Sequence, residues 1–281
     1  IALEGVILVT TSEHVSNCWA HVLSTPENYS VSAEAFWAET CNCPRCEKLG
    51  PLEVISNIID TINIAIISVR PDAKVVAWDW SWNMHFTPPY KEIIERLAPN
   101  VILMGDFERG LIKPDDPGSM FEDYTMMYPG PNNRFRGEVA LTAGSRDMLA
   151  ILRINTTFEL ATVPNLPLMV SMLRKYAYLH EAKISGAMAT WNIGCFINTL
   201  NVFAFDKFCK NPGQYHEREW LESLANDYFG PSANTSLIVD GWYGFQDGAS
   251  HYPINGNKFI YFSPTSYALA SVLDRRDDRR F

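Results

Sequence analysis

The sequence predicts an α/β protein built on a parallel sheet, and three observations lead there. Short apolar runs alternate with longer stretches of helical periodicity, the rhythm of βα units. No repeat of fixed period and no low-complexity linker interrupts that rhythm. All but one of the runs lead straight into polar or aromatic residues, and in parallel sheets function collects at the strand C-termini.

The runs are taken in chain order. The first, Gly5 to Thr11, ends at Ser12-Glu13-His14. A helix follows over about Glu53 to Ser68, where Ile55, Ile58, Ile59, Ile62 and Ile66 recur at helical spacing until Pro71-Asp72 stops it. The second run, Lys74 to Trp80, precedes a short helix over Lys91 to Leu97. Val101 to Met104 forms the third and leads into Gly105-Asp106, followed by a long loop rich in Pro, Gly and Asp and a helix near Gly137 to Gly144. The fourth run extends from Leu149 to Glu159, and a helix over about Leu166 to His180 connects it to the fifth, Ile184 to Thr190, which ends at Trp191. Beyond it, helices are expected over Glu217 to Tyr228 and from Asn234, and the tail DRRDDRRF reads as a solvated charge run.

Composition narrows the function. With 281 residues, 47% hydrophobic and 20% charged, the chain has the balance of a folded domain. A net charge of −9 disfavours a nucleic-acid partner, which needs clustered Lys and Arg. The longest apolar stretch, Ile58 to Val69, is interrupted by Asp60, Thr61, Asn63 and Ser68, so no membrane span is expected. The chain opens at Ile1, inside a strand pattern and without a signal-peptide signature, so its natural beginning is expected upstream. The compartment stays open between cytoplasmic and exported. Phosphate-loop, dinucleotide and HExxH patterns are absent from the sequence.

Six segments, VTTSEH, CNCPRC, VVAWDWSW, DYTMMYPGP, INTTFELATVPNLP and SGAMATWNIGCF, occur in order across nearly the whole chain. Together they resemble bacterial (β/α)8-barrel glycoside hydrolases of the hexosaminidase-like and clan-A-like kind. The resemblance implies a TIM barrel of which the five runs are strands four to eight. Residues 1–213 would be the C-terminal part of the catalytic barrel, and residues 214–281 a helical segment packed on it. An open five-stranded α/β sheet is the alternative.

The same resemblance implies a glycoside hydrolase acting on β-linked glycans or oligosaccharides, with no cofactor required. The acid/base of such barrels follows strand four and the nucleophile strand seven, which carries over to Glu13 and Glu159. Glycoside hydrolysis needs such a pair: one carboxyl protonates the leaving oxygen and the other attacks the anomeric carbon or activates water. Clan-A barrels usually carry Asn just before the acid/base, whereas Ser12 stands here, and the Asp-Glu pair of substrate-assisted enzymes is also missing. A retaining double displacement is therefore the expected mechanism. A barrel that binds carbohydrate without cleaving it is the alternative function.

Sugars offer apolar C–H faces and hydroxyls, so aromatic platforms and fixed polar groups are sought around the pair. Trp78, Trp80 and Trp82 share a strand face by their spacing of two, and Trp80 and Trp82 are candidates for substrate contact. Asp79 points to the opposite side as a substrate-binding or supporting carboxylate. Asp106 reads as structural. His14, Tyr124, Trp191 and Asn192 complete the expected binding set.

Cys18, Cys41, Cys43 and Cys46 lie close in sequence and contain one CxxC, so four thiolates could close a structural zinc site. Disulfides, for example Cys18 with Cys41 or Cys46, and a Cys43–Cys46 redox pair remain open at this stage.

Overall fold

A computed structural model describes residues 4–11, 17–20, 43–113, 116–121, 125–155, 165–189 and 198–251, with the backbone alone at 84 and over 112–113 and 116–121. The described elements, in chain order, are β1 (Gly5–Val9), α1 (Pro44–Val69), β2 (Lys74–Trp78), a 3₁₀ turn (Trp82–Met84), α2 (Lys91–Arg96) and β3 (Val101–Asp106). There follow β4 (Leu111–Lys113), β5 (Asp116–Phe121), α3 (Asn133–Thr142), β6 (Met148–Ile151), α4 (Met169–Glu181), β7 (Gly186–Met188), α5 (Leu200–Lys210), α6 (Glu217–Phe229) and α7 (Thr235–His251).

The main sheet is parallel, with strand order β1-β2-β3-β6-β7. Its register pairs Val9 with Trp78 and Trp78 with Met104. Helices cover it, so β2 and β3 are buried on both faces and read as near-continuous Val, Ala, Leu and Met runs instead of alternating ones. Neighbours in the sheet follow chain order with no reversal. A doubly wound open sheet would reverse at a switch point, whereas sequential order is that of a barrel segment. The fold is thus α/β with a parallel five-stranded sheet flanked by helices, compatible with part of a (β/α)8 barrel.

The chain divides into two compact units, residues 1–106 with 134–150, and residues 107–133 with 151–281. In the first, Ile55 and Ile59 of α1 are buried together with Val75, Ala77, Trp78, Ile93, Leu103 and Phe135. Arg146 bonds to the carbonyls of Ile94, Leu97, Ala98 and Val101, bracing the end of α2 and the turn that leads into β3. In the second unit, Leu152, Val170, Met172, Tyr176, Leu221, Leu224 and Val239 are fully buried.

Four features depart from the sequence-based expectation. Helix α1 begins nine residues before Glu53 and is long and apolar enough, by length and composition alone, to cross a bilayer. Gly50 (φ 74°, ψ 170°) breaks it into two helical pieces before Pro51, a backbone setting that glycine tolerates. The presumed loop after β3 contains an antiparallel β4–β5 hairpin. Its second strand, DPGSMF, carries Pro and Gly and gives no strand signal.

The fourth run is shorter than its pattern suggests. After β6 ends at Ile151, Leu152 N–H still reaches Met188 O at 3.1 Å, but Arg153 N–H turns to the Glu108 carboxylate at 3.0 Å. Glu159 therefore stands eight residues beyond the strand instead of at its end. The second run likewise ends at Trp78: Ser81 is left-handed (φ 62°, ψ 11°) and Trp82 opens the 3₁₀ turn, so alternation does not extend to Trp82.

Candidate functional site

Glu13, His14, Tyr124, Glu159, Trp191, Asn192 and Cys41 lie outside the described residues. What the structure does describe of the sequence-derived set is Asp79, Trp80, Trp82 and three of the four cysteines.

In the first unit the C-terminal ends of β2 and β3 converge on one guanidinium. Asp79 follows β2, Asp106 closes β3, and Arg134 and Glu138 stand one turn apart on α3. Arg134 Nε lies 3.3 Å from Asp79 Oδ2 and 3.6 Å from Glu138 Oε1, and its Nη2 lies 3.2 Å from Asp106 Oδ2. Its Nη1 donates to Tyr90 Oη at 3.2 Å, and the guanidinium sits 5.6 Å from that ring's centre. Asp79 Oδ1 accepts the Asp106 N–H at 3.1 Å, and Trp78 Nε1–H donates to Asp106 Oδ1 at 2.8 Å. Asp79, Asp106, Glu138 and Tyr90 are all fully buried. Gly105 permits this approach, since a Cβ there would collide with the Glu138 carboxyl, Phe135 and Met148.

Three carboxyls facing one arginine cannot all stay ionised cheaply away from water. Burial, reinforced by the neighbouring Asp79 carboxylate, pushes the Glu138 carboxyl well above its ordinary value of 4.5, so Glu138 holds its proton to higher pH than a free carboxyl does. Burial also raises the Tyr90 phenol. Chemically the centre is a scaffold that binds strand end to strand end. Of the two roles expected for Asp79, substrate-binding or supporting, a fully buried, ion-paired carboxylate whose other oxygen holds a backbone N–H fits the supporting one.

The sign of the Glu138 effect sets a pH prediction. Above pH 4.5 the unfolded chain has lost this proton while the folded chain retains it, so stability falls as pH rises through that window. The slope for one proton is up to about 1.4 kcal/mol per pH unit. Glu138→Gln removes the proton from the balance, so urea melts between pH 5 and 8 should be flatter than wild type. A variant that keeps the wild-type slope would show that another group causes it.

The aromatic candidates separate. Trp82 is fully buried, edge-on to Phe86 (6.5 Å) and Tyr90 (5.9 Å), with Nε1–H donating to Thr10 Oγ1 at 3.3 Å. This corrects its expected role, because a tryptophan enclosed on all sides is core packing. Trp80 is half-buried, 5.4 Å from Trp78 between ring centres, and its carbonyl accepts the Thr11 hydroxyl at 2.6 Å.

The second unit holds a separate charged centre. Lys175 of α4 donates through Nζ to Glu108 Oε1 and to Thr125 O, both at 2.6 Å, and Glu108 Oε1 also accepts the Arg153 N–H. Glu108, Arg153 and Lys175 are fully buried. Burial raises the Glu108 carboxyl, and Lys175 opposes that shift. Removing one partner of such a pair leaves an uncompensated buried charge, so Lys175→Met should cost about 3–5 kcal/mol in chemical denaturation. Adding Glu108→Gln should recover a large part of that loss. Additive losses in the double variant would contradict the pairing.

Arg134, Glu138, Glu108 and Lys175 are not among the sequence-derived candidates. A signal existed for two of them. Glu138 sits on the buried stripe Phe135–Glu138–Thr142, and Lys175 lies among buried Met172, Leu173, Tyr176 and Leu179. A charge at a core-facing helical position needs a buried partner.

Cys43 is the N-cap residue of α1, and Cys46 lies within its first turn. Their sulfurs and that of Cys18 lie within 4.8 Å of one another. Hydrogen bonds from the N–H groups of Cys46 and Arg45 lower the Cys43 thiol below its ordinary value. Of the four cysteines singled out in the sequence, these three come together.

Comparison with protein families, with characterised proteins and with solved structures finds no match to this chain.

Proposed function

We propose that this chain is a glycoside hydrolase of the (β/α)8-barrel type, cleaving β-linked glycans or oligosaccharides with retention of configuration. The carrying observation is the sequential parallel strand order, after whose strands the sequence places carboxyl residues at varying distances. Counted as barrel strands four to eight, β1 is followed four residues later by Glu13, β2 directly by Asp79, and β3 ends in Asp106. Glu159 follows β6, the seventh strand in that count.

In this proposal Glu13 protonates the glycosidic oxygen while Glu159 attacks the anomeric carbon. Water then releases the sugar, with Glu13 acting as base. The two carboxyls should stand about 5–5.5 Å apart, as retention requires. The buried Asp79–Asp106–Glu138–Arg134 centre supports this reading by holding the ends of β2 and β3 rigid, and preorganised supports are what such sites need. Trp80 is the aromatic platform on described backbone. His14, Tyr124, Trp191 and Asn192 are assigned to sugar binding by the resemblance of their segments.

The test is hydrolysis of aryl β-glycosides, comprising the N-acetylglucosaminide, galactoside, glucoside and glucuronide, with the product anomer followed by NMR. At least one should be cleaved, with the β-anomer appearing first. An α-anomer would replace retention by inversion. Sugar binding without turnover of any substrate would move the protein to the non-catalytic carbohydrate-binding class.

A further inference from the structure

We propose that Cys18, Cys43 and Cys46 form a zinc site that fastens the turn at 17–20 to the N-terminus of α1. The inference does not rest on the glycosidase reading. Three sulfurs within 4.8 Å of one another supply three of the four donors that a tetrahedral zinc takes, with the fourth position open to water or a further ligand. With Zn–S bonds of about 2.3 Å, the ligand sulfurs stand about 3.8 Å apart, within reach of small side-chain adjustments.

The backbone around the triad is built for this. Cys43 caps α1 and Cys46 lies in its first turn, and Glu47 N–H closes that turn on Cys43 O at 2.9 Å. The third sulfur comes from a tight turn in which Trp19 N–H bonds Asn17 Oδ1 at 2.8 Å and Ala20 N–H bonds Asn17 O at 3.1 Å. Asn17 Nδ2 in turn donates to Thr10 O at 3.1 Å, tying the turn to the end of β1. Trp19 Nε1–H reaches Cys46 O at 3.3 Å, and His85 Nε2 donates to Trp19 O at 2.7 Å. The N–H groups of Arg45 and Cys46 bond the Cys43 sulfur, the outer-shell support that metal thiolates commonly receive.

A disulfide uses two sulfurs at about 2.05 Å and leaves the third over, whereas a metal uses all three. On binding, each coordinating thiol exchanges its S–H bond for an S–Zn bond, and the protons pass to solvent. All three protein ligands are sulfur, which suits zinc and not the oxygen-seeking magnesium or calcium.

The full-length chain, reduced and stripped with a chelator, is titrated with zinc and then with cobalt(II) as a spectroscopic probe. Expected are one metal per chain, proton release on binding, and an intense thiolate-to-cobalt charge-transfer band. Cys18→Ser, Cys43→Ser and Cys46→Ser should each weaken zinc binding by about 100-fold or more, since each removes a primary ligand. Cys209→Ser, at an exposed cysteine outside the triad, should bind as wild type. Cys46→His supplies a nitrogen donor and should retain zinc with a weaker charge-transfer band, separating ligand loss from misfolding. No charge-transfer band in the reduced protein, or triad variants that bind as wild type, would overturn the site. A Cys43–Cys46 disulfide in a chain that takes up no metal after reduction would overturn it in favour of a redox pair.

Discussion

Replacing Arg134 by methionine is expected to destabilise the protein by about 3–5 kcal/mol, because it strips the buried guanidinium from Asp79, Asp106 and Glu138. Methionine fills much of the volume, so the loss reports the charge and not a cavity. What remains is buried carboxylate charge without its countercharge, the situation that makes breaking a buried pair costly. Arg134→Lys should fall between the two, since an ammonium keeps the charge without the planar fork that reaches two aspartates and Tyr90. Asp79→Asn combined with Arg134→Met should be less costly than the sum of the single changes, as for residues in one network. Urea denaturation followed by circular dichroism reads all of these. A cost under about 1 kcal/mol for Arg134→Met would place the ion pairs in the range of solvent-screened contacts and remove the scaffold role assigned to them.

Glu159→Gln is expected to lower kcat on the cleaved aryl glycoside by about 10⁴-fold, because the amide cannot form the glycosyl ester on which retention depends. Glu13→Gln should behave differently. Aryl leaving groups need little protonation, so its glycosylation step should suffer less with a nitrophenolate than with an alkyl glycoside, for which about 10²–10⁴-fold is expected. The two variants should unfold at the same denaturant concentration as wild type to within about 0.5 kcal/mol, so that lost activity is lost chemistry. Equal activity in both variants and wild type would remove the pair from the mechanism.

How much could be read in advance varies by element. β2 and β3 were legible because strands buried on both faces leave continuous apolar runs, VVAW and VILM. α1 and α4 were legible from their helical spacing, with ends misplaced by a few residues to a turn or more. The end of β6 was not, since Leu152, Ile154 and their neighbours stay apolar and buried after the ladder stops. Nothing local announces that Arg153 N–H will prefer a carboxylate to a strand carbonyl. Trp82 was misjudged for a related reason: period-two counting assumes a strand, and the left-handed Ser81 ends that assumption. The buried ion pairs join residues distant in sequence, 67 apart for Glu108 and Lys175, so only the single out-of-place charge was visible. The cysteine triad was the reverse case, because CxxC at a helix start makes its own geometry and Cys18 needed only to be near.

The measurement that bears most directly on the proposed chemistry is trapping of the covalent intermediate. The protein is incubated with an activated 2-deoxy-2-fluoro analogue of whichever β-glycoside it cleaves, then digested and mapped by mass spectrometry. The fluorine slows both steps, and the good leaving group lets the first proceed, so the glycosyl-enzyme accumulates. A mass increment of one fluorosugar on the peptide carrying Glu159, with loss of activity in proportion, is the predicted result. An adduct on a different carboxylate, or undiminished turnover with no adduct at all, would contradict Glu159 as the nucleophile and with it the retaining mechanism proposed for this chain.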